Sequence, residues 1–155
     1  MQLTLKSIKL KYTGEELSEG FLRGNQYIEE LIILDGFKEI PFRSFCECPN
    51  LKKVEIHGES VKRIEGFCFT DCPKLTDVKL NDWLEEIDRG VFDYCKNLPR
   101  IKIPNSVKRI GYNAFDDCEN LQTIDIDNTE TFVKSYWSRR WLGNCQAKVK
   151  YLRIK

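Results

Sequence analysis

IPNSVKRIGYNAFDDCENLQTIDI, residues 103–126, repeats VKRIEGFCFTDCPKLTDVKL, residues 61–80, column for column from its valine onward. Working outward from these two stretches, Phe45, Cys48, Leu51, Val54 and Ile56 recur 24 residues later as Phe69, Cys72, Leu75, Val78 and Leu80. Two further steps of 23 give Phe92, Cys95, Leu98, Ile101 and Ile103, then Phe115, Cys118, Leu121, Ile124 and Ile126. Each unit also has an earlier apolar pair: Phe37 and Ile40, Val61 and Ile64, Leu84 and Ile87, Val107 and Ile110. Internal self-similarity at a fixed period of this length is the signature of a solenoid, in which each unit buries its apolar face against its neighbours.

A fainter copy runs upstream through Leu17, Leu22, Ile28, Leu31 and Ile33, with Asn25 in the cysteine column, and a degenerate one downstream through Leu142, Cys145, Val149 and Tyr151. The expectation is one domain over residues 1–155: a degenerate N-terminal cap and repeat (1–36), regular repeats (37–126), and a degenerate C-terminal repeat and cap (127–155). Terminal units are expected to deviate because each covers an open end.

These units resemble BspA-like leucine-rich repeats, which read roughly as a proline, an apolar pair spaced three apart, then AF..C..L and L..I.I. The resemblance is close over residues 37–126 and looser in the flanks. Pro104 stands where the pattern has proline, whereas His57, Asn81 and Asp127 replace it elsewhere; Ala114 keeps the alanine that Ser44, Cys68 and Val91 replace. The resemblance implies an α/β repeat fold, a solenoid of short parallel strands, and a binding role; the family includes cell-surface adhesion proteins.

In LKKVEI, LTDVKL, LPRIKI and LQTIDI the last three residues alternate in, out, in, as strands with one buried face require. About six rungs spaced about 4.8 Å apart make a stack about 29 Å long. Segments such as FRSFCEC and FDYCKNL are too short for a stable α-helix, so one or two turns of helix or 3-10 helix are expected there. On the outward positions the row Glu39, Arg63, Glu86, Arg109 alternates in sign, which makes adjacent rungs attract. Beside it run Lys38, Lys62, Glu85 and Lys108.

Composition narrows the function. Twenty-five Lys and Arg against 24 Asp and Glu leave a charge of +1, too little basic excess for a nucleic-acid binder or an anionic-membrane surface. Lys6, Lys9 and Lys11 interrupt the N-terminal apolar residues, so no signal peptide or membrane span is read there. A native Met1 points to the cytoplasm, and removal of a leader would point to the cell surface or secretion.

Chemistry finds few footholds. One zinc ion needs four sulfurs within about 2.3 Å, whereas one cysteine per rung spreads Cys48, Cys72, Cys95 and Cys118 over about 14 Å. These thiols, and Cys68 in the alanine column, read as buried small apolar residues. Cys46 shares a column with Thr70, Asp93 and Asp116, which makes it the expected exposed thiol and the only foothold for redox chemistry. The single histidine, His57, occupies a turn column with no recurring nucleophile beside it, and no phosphate-cradling or zinc-protease motif occurs. No cofactor or metal is expected.

The reading is a non-catalytic protein-protein interaction or scaffolding module. A fragment of a cell-surface adhesin is the alternative, and a thiol redox protein working through Cys46 the second. The expected partner is a protein or peptide, with no nucleic acid or membrane, and the chain is a monomer or a weak end-to-end dimer. Candidate contact residues are Lys53, Glu55, Asp77, Lys79, Arg100 and Lys102 on the sheet, of which Lys79, Arg100 and Lys102 form a cationic cluster that suits an acidic partner or is satisfied by Asp77 and Asp125. Trp83 and Tyr94 replace small or acidic residues on turns. Trp137 and Trp141, four apart, share one face if helical and either cap the solenoid or form a contact patch.

Overall fold

A computed structural model describes residues 6–126 and 139–151. Each turn of the chain lays a short strand on one long face: β1 (Ser7–Leu10), β2 (Glu30–Ile33), β4 (Lys53–Ile56), β6 (Asp77–Lys79), β8 (Arg100–Ile103), β10 (Thr123–Ile126) and β11 (Lys148–Tyr151). A second, narrower face carries β3 (Glu39–Ile40), β5 (Arg63–Ile64), β7 (Glu86–Ile87) and β9 (Arg109–Ile110). All pairings are parallel, and the sequence columns are the observed register: Leu31 opposes Val54, Val54 opposes Val78, and Ile101 opposes Ile124, which opposes Val149. The solenoid exceeds the expected stack by one rung, because β1 places Ile8 on Leu31 and Leu10 on Ile33.

The long face consists of two ladders, β1-β2-β4-β6 and β8-β10-β11, rather than one continuous sheet. The cause is legible in LPRIKI. Each rung opens its ladder with the N–H seven residues after the stacked aromatic: Lys52 donates to Glu29, Thr76 to Lys52, and Gln122 to Pro99. At the equivalent position of β8 stands Pro99, which has no N–H to give to Thr76.

The turns carry the main correction. FRSFCEC and FDYCKNL are not helical; among the described residues, helix is confined to a 3-10 turn at Arg139–Trp141. Each regular turn instead holds two left-handed residues, two before and two after the phenylalanine: Arg43 and Glu47, Phe67 and Asp71, Gly90 and Tyr94, Asn113 and Asp117, with φ between 48° and 59°. Such residues end a helix. They turn alternate N–H groups along the solenoid axis, so that Phe67, Phe69 and Asp71 donate to the Arg89, Val91 and Asp93 carbonyls of the next rung, each at 2.9 Å. Every turn thereby forms its own third ladder, and a helix would forfeit it. Gly90 is required twice over: its φ is 59°, and a Cβ there would lie 2.5 Å from the Phe67 ring.

Inside, Phe45, Phe69, Phe92 and Phe115 are fully buried and stack at centroid separations of 5.7, 5.7 and 5.5 Å with planes within 12°. Phe21 closes this column edge-on at one end and Trp141 at the other, at 6.3 and 5.9 Å. Offset aromatic pairs of this kind contribute about 0.5–1.5 kcal/mol each beyond the area they bury. Trp141 is 4% exposed and thus occupies the position of a cap on the stack. Trp137 lies outside the described residues.

Truncating Phe92 to Ala removes a ring with stacked neighbours above and below, and should cost about 3–5 kcal/mol. The Leu22→Ala change, at a half-buried terminal rung, should cost less than half as much. Guanidinium unfolding followed by circular dichroism checks the order, and equal costs would show that the column is not the core.

Candidate functional site

The outward positions of the long face form two rows. Glu30, Lys53 and Asp77 stand in register in one, and Ile32, Glu55 and Lys79 in the other. Arg100 opposes Thr123, which opposes Lys148, and Lys102 opposes Asp125, which opposes Lys150. All six sheet candidates therefore share this one surface, and the structure adds Lys148 and Lys150, whose alternation in KVKY was the available signal. Glu55 receives Lys53 Nζ at 2.7 Å and His57 Nε2 at 2.8 Å, and these hydrogen bonds hold its carboxyl down at about 2. Arg100 Nη2 reaches across to Asp125 Oδ2 at 2.7 Å. His57 thus faces a carboxylate rather than a nucleophile.

On the narrow face the alternating row is realised. Glu39 opposes Arg63, Arg63 opposes Glu86, and Glu86 opposes Arg109. Arg63 Nη2 binds Asp88 Oδ2 at 2.9 Å, Arg109 pairs with Glu86, and Lys108 Nζ binds Glu85 Oε2 at 2.6 Å. This charge holds rungs together. Trp83 is away from the sheet, on the turn between β6 and β7, about half exposed, with Lys62 Nζ 4.9 Å from its ring centroid. Tyr94 is exposed at a left-handed turn position, bonded to Asp117.

The cysteines have a role that composition did not disclose. All seven are buried and unpaired, and each column thiol donates to a carbonyl one rung back: Cys72 Sγ to Phe45 O at 3.3 Å, Cys95 to Phe69 at 3.2 Å, and Cys118 to Phe92 at 3.1 Å. They are axial hydrogen-bond donors as well as small apolar residues. The expectation of an exposed Cys46 is wrong: it is 2% exposed, and burial pushes its thiol up from the ordinary value. The column is enclosed throughout, with Thr70, Asp93 and Asp116 half-buried and Cys46 wholly so. Burial and the raised thiol both oppose formation of a thiolate at this position.

An acidic strip runs along the turn ladder. Asp116 is satisfied by Asn113 Nδ2 at 2.8 Å and by the Asp117 and Asn144 amides. One rung back, Gly90 stands where Asn113 would be, and Asp93 Oδ1 is buried without a partner. Burial, then the nearby Asp116 and Asp117, push the Asp93 carboxyl up to about 6. Among the described residues no group of three or more His, Cys, Asp or Glu is placed to hold a metal ion, and no helix is long and apolar enough to cross a membrane.

The model of one repeat family, the BspA type leucine rich repeat region, matches residues 15–140 in six copies. The chain belongs to this family. Solved structures similar to this BspA-type protein include a leucine-rich repeat protein from Eubacterium ventriosum, 28% identical with a TM-score of 0.70 over 74% of this chain and 31% of that one. One from Bacteroides ovatus is 24% identical, with a TM-score of 0.69 over 96% and 42% of the two chains. The T. pallidum leucine rich repeat protein is 27% identical, with a TM-score of 0.51 over 64% and 61%. This chain thus spans less than two thirds of each of these proteins. A search of the curated proteins returns no significant match.

Two measurements follow from the repeat protein's buried groups. Ellman's reagent should modify none of the seven thiols within an hour in native buffer and all seven in denaturant; a fast native thiol at Cys46 would contradict its burial. For Asp93 the folded value lies above the unfolded one, about 3.9, so its ionisation opposes folding as pH rises through about 6. Asp93→Asn should therefore stabilise the protein at pH 7 by about 1–2 kcal/mol, allowing for partial solvent screening. The gain should vanish near pH 3, below both values, where both states hold the proton. Melting temperatures of the two proteins across that range check it, and a gain that persists at pH 3 would assign the effect to packing.

Proposed function

We propose that this BspA-type repeat protein is a non-catalytic binding module that holds a protein or peptide on its long sheet face. The observation that carries the reading is the combination of a filled interior with an ordered exterior. The stacked phenylalanines and axial thiols occupy the space between rungs, so an enclosed substrate site has no room there. The outward side chains of β4, β6, β8 and β10 stand on backbone ladders that fix their positions. Rigid, closely spaced polar side chains on a broad surface suit recognition of another surface better than the enclosure of a small molecule. Family membership favours the same class, although a fold alone does not fix a function.

A second reading is favoured by one observation. Trp83 exposes about half of its surface on a turn, beside Lys62, and exposed Trp frequently anchors partner contacts.

Affinity capture from the source cells separates the two. The wild-type protein, a Lys53→Ala/Asp77→Ala variant and a Trp83→Ala variant are compared. The long-face reading expects a captured protein to be lost from the first variant and kept by the second. The reverse pattern would move the site to the turn, and retention by both would remove the β4 part of the long face, with Asp77 beside it, from consideration.

A further inference from the structure

Charge is unevenly spread along the long face. On β1, β2 and β4 the outward Lys9, Glu30, Lys53 and Glu55 cancel, and Glu55 is enclosed by Lys53 and His57. From β6 onward the same positions carry five cations, Lys79, Arg100, Lys102, Lys148 and Lys150, against two carboxylates, Asp77 and Asp125, an excess of three. Asp125 is 6% exposed and bonded to Arg100, whose own side chain is 71% exposed. Among the described residues, what this half of the face presents to solvent is therefore mainly cationic, with Asp77 as an exposed carboxylate. In a chain of net charge +1, the balancing acid lies elsewhere, in part on the turn ladder at Asp71, Asp93, Asp116 and Asp117.

We propose that the surface of β6, β8, β10 and β11 docks an extended acidic polypeptide segment with Asp or Glu at alternate positions. The inference rests on the reading of the long face as the contact surface and adds the chemistry of the partner. Side chains two apart on a strand lie about 6.8 Å apart, and the same spacing separates alternate side chains of an extended peptide. Lys148 and Lys150 on β11, and Arg100 and Lys102 on β8, are two such pairs, about 10 Å apart across two rungs. A peptide running along the strands can place alternate carboxylates over either pair. Between them a shallow depression lined by Gln122, Thr123, Gln146, Lys148 and Lys150 adds amide and hydroxyl donors.

Four of the five cations are lysines, and the one arginine is committed to Asp125. Lysines are point charges without the planar fork that matches phosphate or sulfate in two bonds. The patch is also short and the chain nearly neutral, unlike the long basic track that a nucleic acid needs. Exposed ion pairs are individually weak and screened by salt, so binding depends on several together.

The test is fluorescence anisotropy with a labelled peptide of five Glu-Ser repeats, alongside a heparin-derived hexasaccharide as competitor. The peptide should bind the wild-type protein, weaken as salt rises from 50 to 300 mM in roughly the manner of a multi-ion contact, and bind a Lys148→Glu/Lys150→Glu variant at least tenfold less tightly. Because β11 is a terminal strand, Lys79→Glu on β6 serves as a second variant, expected to weaken binding at least threefold with an unchanged melting temperature. Absence of peptide binding, equal binding by the variants, or tighter binding of the hexasaccharide would overturn the proposal. So would salt-sensitive self-association in the ultracentrifuge that the double variant abolishes, since the occupant would then be the acidic turn ladder of a second copy. If capture of a partner depends on Lys53 and Asp77 while the peptide fails to bind, the contact surface stands and the acidic partner does not.

Discussion

The structure depends on one constraint: equivalent residues of consecutive rungs must lie directly over one another. The turn around each phenylalanine enforces it. Left-handed residues on either side, such as Phe67 and Asp71 around Phe69, send three N–H groups to the next rung, and the ring between them stacks on the next ring at about the same spacing. A ring cannot slip sideways without breaking the bonds beside it, and the bonds cannot lengthen without separating the rings. The irregular spacing within the regular repeats shows where the constraint relaxes. The extra residue of the 24-residue unit falls between Ile56 and Val61, in the turn joining the long and narrow faces, where Gly58 is left-handed and Asp35 of the preceding rung accepts the Glu59 and Ser60 amides. The insertion is absorbed at the surface, and Phe45 still stacks on Phe69.

How far the sequence discloses this depends on what each feature is made of. Apolar columns are visible because burial selects side-chain type at each position, and the register follows from the columns directly: the alternation of Glu39, Arg63, Glu86 and Arg109 is a sequence pattern of which Arg63, Glu86 and Arg109 form ion pairs across the rungs. Backbone conformation is less visible. Arg43, Glu47, Phe67 and Tyr94 adopt the left-handed region although none is a residue type that favours it, so the non-helical turn has no compositional marker in the first of these units and only one, Asp71 or Gly90, in the next two; the character of a column likewise misplaces Cys46 outward. Pro99 is the opposite case. Its missing N–H splits the long face between β6 and β8, and that consequence is readable once one knows that the seventh residue after each phenylalanine opens the ladder.

The recurring cysteine illustrates how a repeat can preserve a residue for geometry rather than reactivity. On the inner side of each turn a phenylalanine carbonyl lies in apolar surroundings; the Cys95 amide reaches Phe92 O at 3.2 Å, but a carbonyl has two lone pairs, and under-satisfying a buried one costs free energy. Serine would supply a stronger donor with a larger desolvation cost, and alanine none. A thiol is apolar enough to be buried and still donates, at 3.1–3.3 Å in the three central rungs. Asparagine side chains do the corresponding task at the rim, where Asn50, Asn97 and Asn120 donate to carbonyls one rung back. Donor strength thus follows exposure across the rung, from amide outside to thiol inside.

This arrangement also decides where function can reside. A catalytic centre needs a cavity with convergent side chains and perturbed groups aimed into it. Here the inward side chains are consumed by stacking, and the perturbed groups point to structure: burial raises the thiols, and crowding raises Asp93 on the turn ladder. The positions left unconstrained by packing are the outward ones of the long face. On β4 their charges are answered locally by Glu55, Lys53 and His57, as stability alone would favour. From β6 to β11 cations outnumber carboxylates at these positions, although Asp125 stands in register between Lys102 and Lys150 and pairs with Arg100. Packing of the rungs does not call for that excess of one sign, and an acidic partner is the kind of surface that would answer it.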